Sequence, residues 1–467
     1  MPLNRKPNLR KASSVALLAF AIATLSDPRL AGAEESDGPS REQVMRELQE
    51  LREQVRQLEA KQATQQASAK ADAAQTQRTT DDVINDADRR SALLDAQGFT
   101  AGWTNGKFLI QSEDGNFVVN PQFWFQARYV LNHRDEDAAD PVDGRPSTES
   151  GFEIRRMKLL FDGNAFTPNL KYRFQFNTNR STGNAFLEDC YVSYRFSDSW
   201  AVKLGQYKEP TFHEELMSDV RQLAAERSLV NFTLGGGVTD RVQGVALIYD
   251  KGADAPFRAE AGFTDGPNSK NTNFQDGGGN AFFNQASPDF GLYGRAEYKV
   301  FGDWKNYEDF TALGNTGQLL VVGGGASYAQ NGNSNLLLHT IDAQYEVGPL
   351  GLYAAYLGTY SDSDATGSVY DAGILLQAAY LFTSKWEVFG RFEYMSLDSA
   401  QGVGNDADFT VLTAGVNYYM RKHNAKFTLD AMYLPNGSPV NNDAAGILDP
   451  DGNEAQFVFR GQFQLLL

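Results

Sequence analysis

Short segments in which apolar and polar residues alternate recur along most of the chain, and this pattern restricts the possible folds more than any other feature. From Asn116 onward, segments of about ten residues with a period of two are separated by clusters of Gly, Asn, Asp, Pro and Ser. No stretch in this region approaches the ~20 apolar residues that a helical membrane span requires. The chain is therefore predicted to be an all-β protein, and a helical membrane protein is excluded.

The connections between these segments support a transmembrane antiparallel β-barrel of about 16 strands. Most connections alternate between long and short: 131–151 and 208–240 are long, whereas 164–169 is short. Barrels that cross membranes have short turns at one end and long loops at the other. The connection 301–316 is an exception, because it is longer than expected for a turn. The segments run approximately over 116–130, 152–163, 170–178, 186–196, 200–207, 241–249, 257–264, 290–300, 317–329, 336–347, 350–360, 371–383, 386–396, 408–420, 424–433 and 455–467.

The alternation by itself fits a membrane barrel or a soluble one. Along residues 171–179, Tyr172, Phe174 and Phe176 share one face of the segment, and the opposite face is polar. A water-filled membrane barrel turns such an apolar face outward, whereas a soluble barrel or sandwich buries it in a core. The even number of segments, an alternating last segment from Gln456 to Leu467 and an export signal favour the membrane barrel.

The beginning of the chain has the pattern of a secretory signal peptide. Arg5, Lys6, Arg10 and Lys11 precede an apolar run over residues 15–25, and Ala31-Gly32-Ala33 follows. We predict that residues 1–33 are the signal peptide and that the mature chain begins at Glu34. The barrel would then lie in the outer membrane of a Gram-negative-type bacterium, with the N-terminal segment in the periplasm.

A heptad pattern follows the signal peptide. Its apolar residues are spaced 4, 3, 4 and 3 apart, which predicts a short coiled-coil helix over about 40–61 within a periplasmic segment 34–97. Residues 62–97 have little apolar content and are predicted to be a flexible linker. The helix is interpreted as self-associating; the alternative is a single amphipathic helix on its own barrel or on a periplasmic or cell-wall partner. The seam residues are Val44, Leu48, Leu51, Val55 and Leu58.

Several motifs in the first half of the predicted barrel resemble the phosphate-selective porin O and P family of outer-membrane channels. The resemblance covers about residues 150–250 and extends loosely to the C-terminus. It implies a trimeric channel of sixteen strands for small anions, embedded in outer-membrane lipid. The motifs are Phe152-Glu153-Ile154-Arg155-Arg156-Met157-Lys158-Leu159, Leu187-Glu188-Asp189-Cys190-Tyr191-Val192-Ser193-Tyr194, Leu204-Gly205-Gln206-Tyr207-Lys208-Glu209-Pro210, Glu226-Arg227-Ser228, and Asp240-Arg241 with Gly244.

Cationic residues on the polar face of four consecutive strands are the candidate pore-lining and anion-binding residues. Rings or ladders of one charge sign commonly set the selectivity of pores. The alternative is that these are ordinary lumen charges paired with Asp162, Glu188 and Asp189, and the net charge of −17 weighs against a modest ladder. The ladder residues are Arg156, Lys158, Lys171, Arg173, Arg195 and Lys203.

The long connection 208–240 is predicted to fold into the lumen of the barrel domain, which spans residues 98–467, and to form a constriction. The candidate constriction residues are Lys208, Arg221, Glu226 and Arg227 of this connection and Arg241 immediately after it.

The predicted function is passive diffusion of small solutes with a preference for anions such as phosphate. The alternative is a structural envelope protein that tethers the outer membrane through its coiled coil. A third alternative is an outer-membrane hydrolase that uses a Ser and a His of the barrel wall, although no histidine lies near a suggestive serine in the region that resembles the family. The acidic net charge argues against nucleic-acid binding. Enzyme activity, cofactors and a metal site are not predicted, since His133, His213, His339 and His423 lack the spacing of metal ligands.

Overall fold

The structure is a computed structural model that describes residues 41–95, 98–104, 107–135, 147–273, 288–313, 317–364, 367–398, 407–438, 440, 442–448 and 455–467. The predicted signal peptide lies outside the described residues. The chain divides into two compact units, residues 1–90 and 91–467.

The described part of the first unit is helical. Helix α1, Arg41–Asp95, has 55 residues and continues through the stretch predicted to be a linker. Ala, Gln, Lys and Arg are good helix formers, and the hydroxyls of Thr64 and Thr76 donate to the carbonyls four residues back. The linker prediction relied on low apolar content, which weakens packing but does not prevent a helix. Val55 and Leu58 are exposed on α1, and the coiled coil remains a prediction.

No helix in the described ranges is both long and apolar enough to cross a bilayer.

Eighteen strands make up most of the described second unit. A hairpin comes first, formed by β1 (Phe99–Thr104) and β2 (Lys107–Ser112). The remaining strands are β3 (Val118–Arg134), β4 (Thr148–Ala165), β5 (Thr167–Thr178), β6 (Ala185–Arg195), β7 (Trp200–Lys208), β8 (Arg241–Asp250), β9 (Phe257–Thr264), β10 (Phe290–Phe301), β11 (Gln318–Asn331), β12 (Ser334–Val347), β13 (Leu350–Ser363), β14 (Gly367–Leu381), β15 (Trp386–Leu397), β16 (Ala407–Arg421), β17 (Ala425–Leu434) and β18 (Gln456–Leu466).

Strands β3 to β18 form a closed antiparallel barrel. Each pairs with the next along the chain, and β18 pairs with β3 over Gln456↔Arg134 to Leu466↔Trp124, which closes the sheet. The prediction of about 16 strands is confirmed, and every predicted segment overlaps one of these strands in the same order. We call the end where β3 begins and β18 ends the turn end, and the opposite end the loop end.

The barrel wall is apolar outside, whereas its inner face differs between the two halves of the circumference. On β5, Phe174 and Phe176 are exposed outward while Gln175 and Asn177 are buried inside. On β11 to β18, however, many inward residues are apolar, and they form an apolar core with the loops that fold against them. The prediction of a polar lumen therefore holds for only part of the wall.

Candidate permeation path

The connection between β7 and β8 lies inside the barrel; we call residues 209–240 the inner loop. It contains four short helical elements: α2 (His213–Leu216), a 3-10 turn (Asp219–Arg221), α3 (Leu229–Leu234) and α4 (Gly236–Thr239). The Ser228 hydroxyl caps α3 by accepting a hydrogen bond from the backbone N–H of Asn231. Val230 and Leu234 of α3 belong to the apolar core. The inner loop is thus packed against one side of the lumen, and open space is left on the other.

Glu226 holds the inner loop to the opposite, polar wall. Its carboxylate accepts hydrogen bonds from Arg128 Nη1 at 3.0 Å, Arg155 Nε at 2.5 Å and Arg156 Nη2 at 2.8 Å. Burial would raise the pKa of Glu226, but the three guanidinium groups outweigh burial and hold that pKa well below its usual range. Glu226 therefore remains charged and neutralises part of this arginine cluster.

Asp219 makes the second attachment of the inner loop. Its carboxylate lies 2.6 Å from Arg227 Nη1 of the same loop and 2.6 Å from Lys158 Nζ on β4, while Arg156 Nε is 3.4 Å away. Burial again opposes ionisation, but the pKa of Asp219 falls well below its usual range because these cations favour the carboxylate. Lys158 is shared, since Glu188 Oε2 lies 2.7 Å from its ammonium group.

Two β-bulges bring additional charges into the lumen. The pairing of β3 with β4 shifts between Gln126↔Arg156 and Ala127↔Ile154, so that Arg155 is an extra residue and contacts Glu226 beside Arg156. A similar shift on β6 leaves Glu188 unpaired next to Asp189, and both carboxylates are buried. Strict alternation would have placed one member of each pair outside, and therefore the sequence did not identify Arg155 as a site residue.

A segment from the turn end enters the barrel to meet the inner loop. This turn-end insert, residues 302–313, includes α5 (Trp304–Tyr307) and belongs to the connection that was unexpectedly long. The ring of Tyr307 stacks on His213 of the inner loop with centroids 3.9 Å apart. His423 Nε2 lies 2.6 Å from Asp309 Oδ2, which ties the insert to the turn between β16 and β17.

Two cavities lie along the polar wall and share residues. The turn-side cavity has a volume of about 450 Å³, and the loop-side cavity has about 240 Å³. Lys158, Asp219 and Arg241 line both cavities. These three side chains therefore lie where the two cavities adjoin.

The predicted site residues fall into three groups. Arg156, Lys158, Glu226, Arg227 and Arg241 surround the loop-side cavity. Lys158 and Arg241 also line the turn-side cavity, together with Arg173, Lys203, Lys208 and Arg221.

The two remaining residues lie elsewhere. Lys171 is exposed near the start of β5 at the turn end, and Arg195 donates to the carbonyls of Asp198 and Asp250 beside a turn. The alternation of side chains along each strand predicts that both residues face the lumen with the other cations. Their positions along the barrel axis, however, place them at the turn end.

Every cation that lines either cavity lies within 4.0 Å of a carboxylate oxygen. Arg173 Nε lies 3.3 Å from Asp189 Oδ2, and Lys203 Nζ lies 2.6 Å from Glu260 Oε1. Arg241 contacts both Asp189 and Glu188. The lining is a network of alternating charges, in which carboxylates of the wall and of the inner loop interrupt the cations.

A closed sixteen-stranded barrel with a lipid-facing apolar wall and a loop folded into its lumen has the architecture of an outer-membrane channel. The model of the phosphate-selective porin O and P family matches residues 125–282, so the resemblance noted in the sequence is confirmed. This family is one of outer-membrane channels, and the comparison favours a channel over a structural tether.

Solved porin structures share the fold. The chain is 15% identical to an anion-selective porin from Comamonas acidovorans, with a TM-score of 0.51 over 75% of this chain and 99% of that one. It is 14% identical to Salmonella typhi OmpF in complex with daunomycin, with a TM-score of 0.51 over 78% of this chain and 100% of that one.

A curated relative from Aquifex aeolicus (strain VF5), described as an uncharacterized protein, is 23% identical over 268 residues. The match covers 54% of this chain and 64% of the relative.

Proposed function

We propose that this protein is a passive outer-membrane porin that prefers small anions such as phosphate. The observation that carries the proposal is the charge of the turn-side cavity. Seven cationic side chains and four carboxylates line that cavity. Five of these cations also pair with carboxylates that are not part of the lining, namely Glu188, Glu215, Asp250 and Glu260, so the excess belongs to the lining surface alone. A low-dielectric wall strengthens the field of such an excess, which raises the local concentration of anions. The cations are Lys158, Arg173, Lys203, Lys208, Arg221, Arg241 and Arg258; the carboxylates are Asp189, Asp219, Glu297 and Glu308.

The preference is expected to be moderate. Glu226 occupies the donors of three arginines, and Asp219 occupies Lys158 and Arg227. An anion must compete with these carboxylates for the same donors. The loop-side cavity is lined by five cations and five carboxylates and adds no net attraction. The proposed protein is therefore a diffusion channel in which one segment of the lumen favours anions. It does not need a site that binds an anion tightly.

Anion preference can be tested by exchanging the anion in a planar bilayer. Purified protein should produce stepwise, steady conductance in potassium chloride. Adding a small amount of potassium phosphate at a fixed and much higher potassium chloride concentration should lower the single-channel current if phosphate occupies the cations that chloride uses. Chloride current that is insensitive to phosphate would contradict a shared route, whereas the absence of steps would contradict the porin itself.

We also propose that the protein works as a homotrimer held in part by α1 as a parallel coiled coil in the periplasm. A seam of about two and a half heptads is too short to associate alone, so it would form where barrels already hold three copies together. Replacing Val55 and Leu58 by Asn should lower the temperature at which the native oligomer dissociates on a gel. Replacing Glu53 and Glu59, which lie outside the seam, by Asn should leave that dissociation temperature unchanged.

A further inference from the structure

The hairpin of β1 and β2 carries an aromatic face that is exposed in the described structure. Trp103 pairs with Phe108, and Ala101 pairs with Ile110. Directly opposed residues of antiparallel strands point to the same side, so these four side chains and Phe99 form one apolar face. Its large members are well exposed: Phe99 by 41%, Trp103 by 58%, Phe108 by 39% and Ile110 by 37%.

The other face of the hairpin is mainly polar. It carries Thr100, Thr104, Lys107 and Gln111, with Leu109 as a half-buried exception. A two-stranded ribbon with one aromatic and one polar face is amphipathic, and its apolar side needs a covering medium.

The register of β2 on β3 shows which way the aromatic face points. Ile110 pairs with Val119, so both side chains lie on the same side of the sheet. On β3 the even-numbered residues Asn120 and Gln126 are buried inside the barrel, and the pairing from Val118 to Gln126 has no bulge. Val119 therefore points outward. The aromatic face of the hairpin continues the lipid-facing wall of the barrel.

The position of the hairpin along the barrel axis indicates what contacts its aromatic face. β2 pairs with residues 118 and 119 at the turn end, on the edge of β3 beyond the last pair with β18, Leu466↔Trp124. At the same end, Phe117 and Phe166 pack edge to face with centroids 5.2 Å apart, and Phe166 is 74% exposed. Aromatic side chains are enriched where a membrane protein meets the boundary between acyl chains and headgroups.

We propose that the β1–β2 hairpin is an interfacial membrane anchor, whose aromatic face binds the phospholipid leaflet at the turn end of the barrel. Trp103 and Phe108 enter the boundary of that leaflet. Lys107, on the opposite face beside Thr104, stays at the level of the headgroups and water. The hairpin therefore extends the contact of the barrel with lipid beyond the ends of the sixteen strands. A neighbouring copy of the chain would cover the same face without lipid, and the test separates the two occupants.

The test uses the fluorescence of Trp103 in the full-length protein reconstituted into phosphatidylcholine–phosphatidylglycerol vesicles. The emission of Trp103 is the difference between wild type and Trp103→Phe, because four other tryptophans remain in both proteins. With lipids brominated near the headgroup end of the acyl chains, we expect most of the Trp103 emission to be lost. Iodide in the aqueous phase should quench it weakly.

A matched control places a tryptophan on the polar face of the same strand, as Thr104→Trp combined with Trp103→Phe. This tryptophan should respond in the opposite way, strongly to iodide and weakly to brominated lipid. Heat-modifiable gel mobility checks that each variant has a folded barrel. Quenching of Trp103 by iodide alone would overturn the proposal, because the face would then lie in water. Resistance to both quenchers would also overturn it, since protein would then cover the face.

Discussion

Lys158 of the barrel wall and Asp219 of the inner loop form an ion pair of 2.6 Å where the loop-side and turn-side cavities meet. The same carboxylate is also held by Arg227 and Arg156. A mobile anion that passes this point must interact with cations that already have a protein carboxylate as partner. Under the proposed function, the strength of these internal pairs controls how strongly the channel attracts anions.

Asp219→Asn should increase the preference for anions. The amide keeps the size of the side chain but removes one negative charge from a site with three cations, so the local potential becomes more positive. Reversal potentials across a potassium chloride gradient measure the effect. Asp198→Asn, on the exposed turn between β6 and β7, is the matched control and should leave the potential unchanged. An unaltered or more cation-favouring Asp219→Asn channel would contradict the role of this pair.

Glu226→Gln should destabilise the folded barrel by about 3–5 kcal/mol, because it leaves buried arginines without their carboxylate. The decrease in the free energy of unfolding can be measured as a lower midpoint of denaturant unfolding, with tryptophan fluorescence as the signal. Glu149→Gln removes a more exposed partner, which lies 3.4 Å from Arg134, and should cost less than about 1 kcal/mol. Equal effects of the two substitutions would show that Glu226 does not anchor the inner loop.

Glu209, at the start of the inner loop, should make that loop sensitive to pH. Burial raises the pKa of Glu209 to about 7, although hydrogen bonds from Thr211 and Ser327 oppose the increase. A carboxyl with a raised folded-state pKa favours the folded state at low pH, and this contribution is lost between the unfolded pKa near 4.5 and the folded value near 7. Proteolysis of the inner loop should therefore be faster at about pH 8 than at about pH 5, on the same linkage argument.

Glu209→Gln supplies the comparison for that pH effect. The neutral amide removes the titration, so this contribution to the pH dependence of cleavage should disappear once protease activity is normalised on an unfolded substrate. A pH dependence that persists unchanged in Glu209→Gln would assign the effect to another group.

Tyr307→Ala should increase the single-channel conductance. Tyr307 stacks on His213 and lines the turn-side cavity, so its removal widens that cavity and weakens the contact between the turn-end insert and the inner loop. Tyr298→Ala is the control, since Tyr298 lies on the outer wall of β10 and should not affect the current. A conductance equal to that of the wild type would indicate that the route avoids this contact.

The order of the barrel strands could be predicted from the sequence because a period of two and turn residues are local signals. The hairpin of β1 and β2 was missed, since each strand has only six residues and part of one face is occupied by Gly102 and Leu109. The helix over residues 62–95 was missed for a different reason, because its prediction depended on an apolar face that this polar stretch lacks.

The candidate site was less predictable because it depends on register and on height along the barrel. Odd or even position along a strand predicts which face of the sheet a side chain occupies. A β-bulge reverses that assignment, as Arg155 and Glu188 illustrate. Odd or even position also gives no information about where along the barrel axis a residue lies. For this reason the sequence pattern does not distinguish Lys171 from cations nearer the middle of the lumen. The pairing of Lys158 with Asp219 joins residues 61 positions apart and follows only from the folded inner loop.

The central claim is that the cations of the turn-side cavity make this channel prefer anions. It is tested most directly by the reversal potential across a potassium chloride gradient, for the wild type and for a variant with Lys158, Arg173 and Lys203 all replaced by Gln. The wild type should show anion preference, and the variant should lose or reverse it, because its cavity lining then holds four cations and four carboxylates. A wild-type channel that prefers cations, or equal potentials for the two proteins, would contradict the claim.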